Sequence, residues 1–172
     1  SEMCIRDRNM GVKLEKLIEK MSLKNLTPDL DLTQSEIQVP DINRPALQLT
    51  GYFDHFDSDR VQIIGYVEYT YLETLSDEKK KEMYTQLLSY GIPCIVYCRN
   101  LEPDETFLQM ANEMKVPIFQ SSKQTSAFTA EVIRWLNVEL APCISIHGVL
   151  VDVYGVGVLI IVSYTHLTLP TI

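Results

Sequence analysis

The sequence predicts an α/β fold in which a parallel-type sheet is flanked by helices. Three observations carry this expectation. Short β-branched runs alternate with amphipathic helical stretches from Val61 to Leu140, the pattern of crossover-connected parallel strands rather than of a bundle or a sandwich. The 172 residues amount to one ordinary domain, or one domain and part of another. The hydrophobic fraction of 46% and charged fraction of 22% belong to a chain that buries a real core.

The elements are expected in this order. Val12 to Met21 forms a short helix, with Val12, Leu14, Leu17, Ile18 and Met21 on one stripe and lysines and glutamates on the other face. Asn25 to Pro28 breaks it, and Leu30, Leu32, Ile37 and Val39 mark short extended pieces. Asn43 to Pro45 reads as a loop, because Pro45 disfavours helix at Arg44. Leu47 to Phe56 is apolar and aromatic with acidic punctuation, and Val61 to Ile64 is a buried strand. Ser76 caps a helix that has Asp77 and Glu78 in its first turn; it runs to Tyr90 with Met83, Leu87 and Leu88 inward, and Gly91 ends it.

Ile92 to Cys98 is the central strand. Pro103 opens a helix over Asp104 to Lys115, whose apolar face is Phe107, Leu108, Met110, Ala111 and Met114. Val116 to Phe119 is a further strand, and Thr125 to Leu140 a third long helix that buries Phe128, Val132, Ile133, Trp135, Leu136 and Leu140. Cys143 to Val153 and Val156 to Ile161 form a strand-turn-strand unit turning near Tyr154-Gly155. This hairpin follows a helix and is expected to begin a different sheet, which places the domains at residues 10–137 and 138–161.

Both ends are odd. Residues 1–9 and 162–172 resemble translated sequencing-adapter read-through, and are expected to lie outside the natural chain. The other reading of the tail is a C-terminal strand with a frayed end.

With Lys+Arg 15 against Asp+Glu 23 the net charge is −8, which argues against nucleic acid or an anionic membrane as a primary partner. The longest apolar stretch, Val153 to Val162, is about half of what a bilayer requires. The start carries Glu2, Arg6, Asp7 and Arg8 and no secretory pattern. Four cysteines make no disulfide framework, and reduced thiols without signal or span point to the cytoplasm.

Few residues invite chemistry on pattern alone. Cys94 and Cys98 share one strand face, but zinc needs further ligands at tight turns, so core thiols are the better reading. Asp54, His55, Asp57 and Asp59 cluster three carboxylates and an imidazole, which a hard cation could use in principle, but turn residues with Arg60 as counter-charge are the better reading, and no metal site is expected. Gly155-Val156-Gly157 lacks the third glycine and the following helix of a dinucleotide fingerprint, and serves the hairpin. His147 stands above this background, and by composition alone it reads as a satisfied structural histidine.

Three stretches carry a resemblance: Asn43 to Phe53, then Arg60 to Gln62, then Ala141-Pro142 with Ile146 to Ile160. Together they resemble the bacterial HPr kinase/phosphorylase family, and the likeness runs from about Met10 to Ile160. The His147 to Ile160 block is its most specific part, since in the family it leads into the phosphate-binding loop.

The resemblance implies an N-terminal α/β domain similar to that of the Mur ligases, followed by the first β-hairpin of a P-loop kinase domain. It implies an enzyme that phosphorylates a serine of HPr, the carrier of the sugar phosphotransferase system. ATP or pyrophosphate with Mg²⁺ would supply the phosphoryl group, and phosphorolysis would remove it, in the service of carbon catabolite regulation. A cytoplasmic homo-oligomer, a hexamer, is implied as well. His147 would be the catalytic residue of this chain, lying beside the phosphate pocket.

The departure from the family is as informative. Its members continue into Gly-x-Ser-Gly-x-Gly-Lys-Ser, whereas here Ile161 is followed by Val162-Ser163-Tyr164-Thr165, and no Gly-Lys-Ser/Thr occurs in the 172 residues. The backbone cradle, the phosphate lysine and the Mg²⁺ hydroxyl are therefore missing. A fragment inactive by itself is expected, with no cofactor bound. The rival reading is a non-enzymatic α/β regulatory or ligand-binding module.

Overall fold

Val61, Ile63, Cys94, Val96 and Phe119 are completely buried on one side of a sheet, and Ile64, Ile95, Tyr97 and Ile118 on the other. Strands hidden on both faces read as near-continuous apolar runs, which explains why the alternation of a half-exposed strand is absent from them. The computed structural model describes residues 11–142 and 148–161.

In chain order the elements are β1 (Val12–Lys13), α1 (Leu14–Met21), β2 (Lys24–Asn25), a 3-10 turn at Leu32–Gln34, β3 (Glu36–Ile37), β4 (Ile42–Asn43), and a 3-10 turn at Gln48–Thr50. There follow β5 (Val61–Ile64), α2 (Tyr66–Glu73), α3 (Asp77–Leu88), β6 (Ile95–Tyr97), α4 (Glu105–Glu113), β7 (Ile118–Gln120), α5 (Thr125–Glu139), β8 (Gly148–Val153) and β9 (Val156–Ile161). The main sheet has the order β2-β7-β6-β5-β4. β4 to β7 are parallel, and β2 adds an antiparallel edge through Lys24 opposite Gln120. β1 and β3 form a separate small ladder, Val12 opposite Ile37.

Because β4, β5, β6 and β7 are neighbours in both space and sequence, right-handed crossovers put every intervening segment on one face. That face carries α2, α3 and α4 and the 44–60 connection: Leu49, Leu72, Tyr84, Leu87, Phe107 and Ala111 pack there against Ile64, Ile95, Tyr97 and Ile118. α1 and α5 cover the opposite face, where Leu14, Leu17, Met21, Phe128, Val132 and Leu136 meet the other strand residues. The α/β expectation is thus met as a three-layer unit.

Several local expectations need correction. The first helix begins at Leu14, because Val12 and Lys13 are drawn into pairing with β3. Leu32 lies in a 3-10 turn rather than an extended piece, started by Asp31 Oδ1 accepting from the Thr33 N–H. Asn43, placed in a loop by its proximity to Pro45, is the last residue of β4. α2 has no counterpart in the expected elements. α3 is capped by Ser76 as expected but ends at Leu88; Tyr84 is fully buried and Met83 only partly. On α4, Met114 emerges as 36% exposed instead of joining the apolar face.

α5 continues past Asn137, and the first compact unit reaches Ala141. The hairpin belongs to the second unit. β8 and β9 pair from Gly148 opposite Ile161 to Val153 opposite Val156. Tyr154 and Gly155 both have positive φ, 55° and 79°, the requirement of a type I′ turn. Among the described residues no helix is long and apolar enough to cross a membrane.

Candidate functional site

The parallel strands all end at one edge of the sheet, and the loops that follow carry Arg44, Gly65, Cys98 to Asn100, and Ser121 to Thr125. This is the edge at which open α/β sheets gather their functional groups. Here the gathering has a specific cause. α5 crosses to the face opposite α4, so that its first turn meets the end of β5.

Gly65 is the meeting point. A Cβ there would lie 2.7 Å from Thr125 Oγ1, closer than real Cβ contacts come, and a tight 3.2 Å from Arg44 Nη2. On the α2 side, the Gly65 N–H donates to Glu68 Oε2 at 3.0 Å, the carboxylate half of a capping box. Arg44 Nη2 lies 2.8 Å from Glu68 Oε1 and 2.9 Å from Oε2. The anionic position at the start of α2 is thus filled by the protein's own carboxylate.

Cys98 sits beside this pair. Burial pushes its thiol up to about 11, against the Thr125 hydrogen bond and the Arg44 charge, which pull it down, while Glu68 raises it further. Burial raises Cys94 further still. Both are free thiols, protonated at neutral pH and therefore poor nucleophiles. Arg99 and Asn100 follow with φ of 60° and 55°, two successive side-chain-bearing residues in the left-handed region. Their N–H groups donate to Lys123 O and Ser121 O, both at 2.9 Å, so the turn is tied to the loop after β7. The Arg99 guanidinium lies 5.7 Å from the centre of the Tyr66 ring.

Around Gly65 this edge combines a paired guanidinium, a capped helix start and a protonated thiol. The backbone bonds and the Arg44–Glu68 pair hold the loops of this edge together. A small cavity of about 10 Å³ bounded by Tyr69, Tyr84, Tyr97 and Asp104 has room for one water molecule.

The residues singled out from sequence distribute as follows. Cys94 and Cys98 do share one face, turned into the core under α1 and α5. Asp54, His55, Asp57 and Asp59 form no metal-holding group, nor does any other set of three ligating side chains among the described residues. Arg60 pairs instead with Asp57 at 3.3 Å. Gly155 serves the hairpin turn. His147 lies outside the described residues. Arg44, Glu68 and Thr125 were not anticipated; the only signal was a glutamate three positions after a glycine, and α2 itself had to be known for it to be read.

The family model described as HPr Serine kinase N terminus matches residues 12–136, most of the chain. The chain belongs to this HPr kinase family. Similar curated proteins carry the name HPr kinase/phosphorylase. That of Lachnoclostridium phytofermentans is 58% identical over 149 residues, covering 87% of this chain and 48% of the relative. That of Alkaliphilus metalliredigens is 44% identical over 150 residues, covering 87% and 48%, and that of Caldicellulosiruptor bescii 39% over 146 residues, covering 85% and 47%. The chain spans about half the length of the curated relatives it matches. Among solved structures, the CBS and DRTGG domains of the regulatory region of a Clostridium perfringens pyrophosphatase superpose with a TM-score of 0.45 at 8% identity, over 71% of this chain and 46% of that one.

The HPr kinase family match falls entirely within the first compact unit, which ends at Ala141. The family domain is therefore the three-layer α/β unit.

Proposed function

We propose that this chain is the N-terminal portion of a bifunctional HPr kinase/phosphorylase. The complete enzyme transfers phosphoryl from ATP or pyrophosphate, with Mg²⁺, to a serine of HPr, and removes it by phosphorolysis. The observation that carries the reading is the 58% identity over 149 residues, a run longer than the 12–136 span of the family model. The likeness thus continues beyond the α/β unit toward the hairpin.

In this reading the α/β unit is a scaffold, and the phosphoryl chemistry belongs to a kinase domain that begins with the hairpin. His147 would sit beside the phosphate pocket and position or polarise the transferring group. Phosphoryl transfer depends on electrostatic placement by a phosphate loop, a lysine and metal, and no Gly-Lys-Ser/Thr occurs in these 172 residues. Incubated alone with HPr, ATP and Mg²⁺, the chain is therefore inactive. A cytoplasmic hexamer is the assembly proposed for the complete enzyme.

The test is a chimera of residues 11–161 joined to the second half of the Lachnoclostridium phytofermentans relative. It should label HPr on serine with radioactive phosphate, while the 172-residue chain should not. A folded but inactive chimera, or labelling by the short chain, would overturn the reading.

A further inference from the structure

The acidic stretch after Gly51 holds no metal-ligand set, yet it is not an ordinary solvated loop. Three aromatic side chains converge there, and a fourth, Tyr52, stands exposed immediately before Phe53 in the chain. The Phe53 and Tyr90 rings stack with centroids 5.1 Å apart and planes 2° from parallel. Phe56 stands perpendicular to both, at 5.7 and 5.1 Å. The Tyr52 N–H donates to Leu47 O, placing Tyr52 next to Leu47. The outermost members remain open to solvent: Leu47 62%, Tyr52 50% and Tyr90 41% exposed. The same segment carries Asp54, Asp57 and Asp59, all exposed, and among the described residues Arg60 pairs with Asp57.

The surface is also held in shape. Gln62, completely buried, donates through Nε2 to Asp57 O and Arg60 O at 3.1 and 2.9 Å, and the Phe56 N–H donates to Phe53 O. A rigid aromatic patch loses little entropy when a partner covers it. Tyrosines of this exposure are the side chains that carry binding energy at interfaces.

We propose that the Leu47–Tyr52–Phe53–Phe56–Tyr90 surface, rimmed by Asp54, Asp57 and Asp59, docks a basic segment of another protein. Its arginine or lysine side chains lie over the tyrosine rings, with their charges against the carboxylates. Charge selects this occupant. A two-fold contact between two copies would set the same carboxylates against each other, on a chain that already carries −8. Nucleic acid and anionic lipid are repelled in the same way. The proposal does not rest on the enzymatic reading, and its test involves no phosphoryl transfer.

The experiment uses the 172-residue chain and a fluorescent 16-residue probe peptide of repeating Arg-Leu-Lys-Leu, with a Glu-Leu-Glu-Leu counterpart, read by anisotropy at near-physiological salt. The basic probe should bind and the acidic one should not. Affinity should fall at least tenfold in Tyr52→Ala and in Asp54→Asn/Asp59→Asn. It should change less than twofold in Glu78→Gln/Glu82→Gln, which removes as much charge from the exposed side of α3. No binding by the basic probe, or equal losses in the two charge variants, overturns the proposal, since the latter means general attraction to an acidic chain. Equal binding of both probes overturns it by showing an apolar contact alone. A dimer in sedimentation that Tyr52→Ala dissolves also overturns it, by assigning the face to a second copy.

Discussion

The Arg44 guanidinium reaches across from the end of β4 to grip Glu68 of α2 at 2.8 Å, and the glutamate side chain it holds is only 2% exposed. A carboxylate so deeply placed is tolerable because two donor nitrogens serve it: Arg44 Nη2, which lies against both oxygens, and the N–H of Gly65. The pair fastens the edge strand to the helix that follows its neighbour.

Removing one partner should cost more than the pair is worth. Arg44→Ala leaves Glu68 buried with a single donor and should destabilise the fold by about 2–3 kcal/mol, toward the low end for a buried pair because Arg44 itself is 44% exposed. Glu68→Gln keeps an acceptor for the Gly65 N–H and should cost less. Urea unfolding of the two variants decides the ranking, and a milder Arg44→Ala would be inconsistent with it.

Gly65→Ala should destabilise by about 1–3 kcal/mol, the usual range for overpacking. The backbone there has φ −102°, which alanine accepts, so the cost is the 2.7 Å approach to Thr125 Oγ1. Thr125→Ala in the same chain removes that atom and should recover part of the loss. A double-mutant cycle with no coupling would exclude the steric explanation.

Alkali should unfold the protein in a defined window. The Cys98 thiol titrates near 9.0 in its ordinary state and at about 11 when folded. The folded state therefore holds the proton more tightly. The stabilisation is complete below pH 9 and is lost as the pH climbs toward 11, by on the order of 2–3 kcal/mol. Burial raises Tyr84, Tyr97 and Cys94 too, and these add loss of the same sign. Unfolding free energies between pH 8 and 11 should fall less steeply for Cys98→Ala than for the parent chain, and parallel slopes would contradict the assignment.

In the extended chimera, His147→Ala should lower kinase and phosphorylase rates together by tenfold or more, with HPr binding little changed. Unaffected rates in both directions would return His147 to a structural role.

Much of the α/β unit was legible because its signals are local. Ser76 before Asp77-Glu78 marks a helix start on any chain, and Val61 to Ile64 and Ile95 to Tyr97 have no polar face to offer solvent except Gln62. α2 was not legible. Tyr66, Val67, Tyr69, Tyr71 and Leu72 put apolar groups all round the helix, leaving no period to detect, and its one buried charge is held by Arg44 from a distant loop. Tyr84 was not among the residues expected inward on α3, where Met83 was. What fixes Tyr84 inward is its hydroxyl donating to Asp104 Oδ2 at 2.6 Å, across the gap between α3 and the start of α4.

The residue string by itself determined the alternation of elements, the family and the lack of a phosphate-loop lysine, since each is written in consecutive residues. Tertiary structure alone decided that a side chain at Gly65 would crowd Thr125, that Glu68 is paired, and that Phe53 and Phe56 of the acidic loop pack against Tyr90. Those properties arise where segments far apart in the chain come within a few ångströms, and short-range pattern carries no information about such distances.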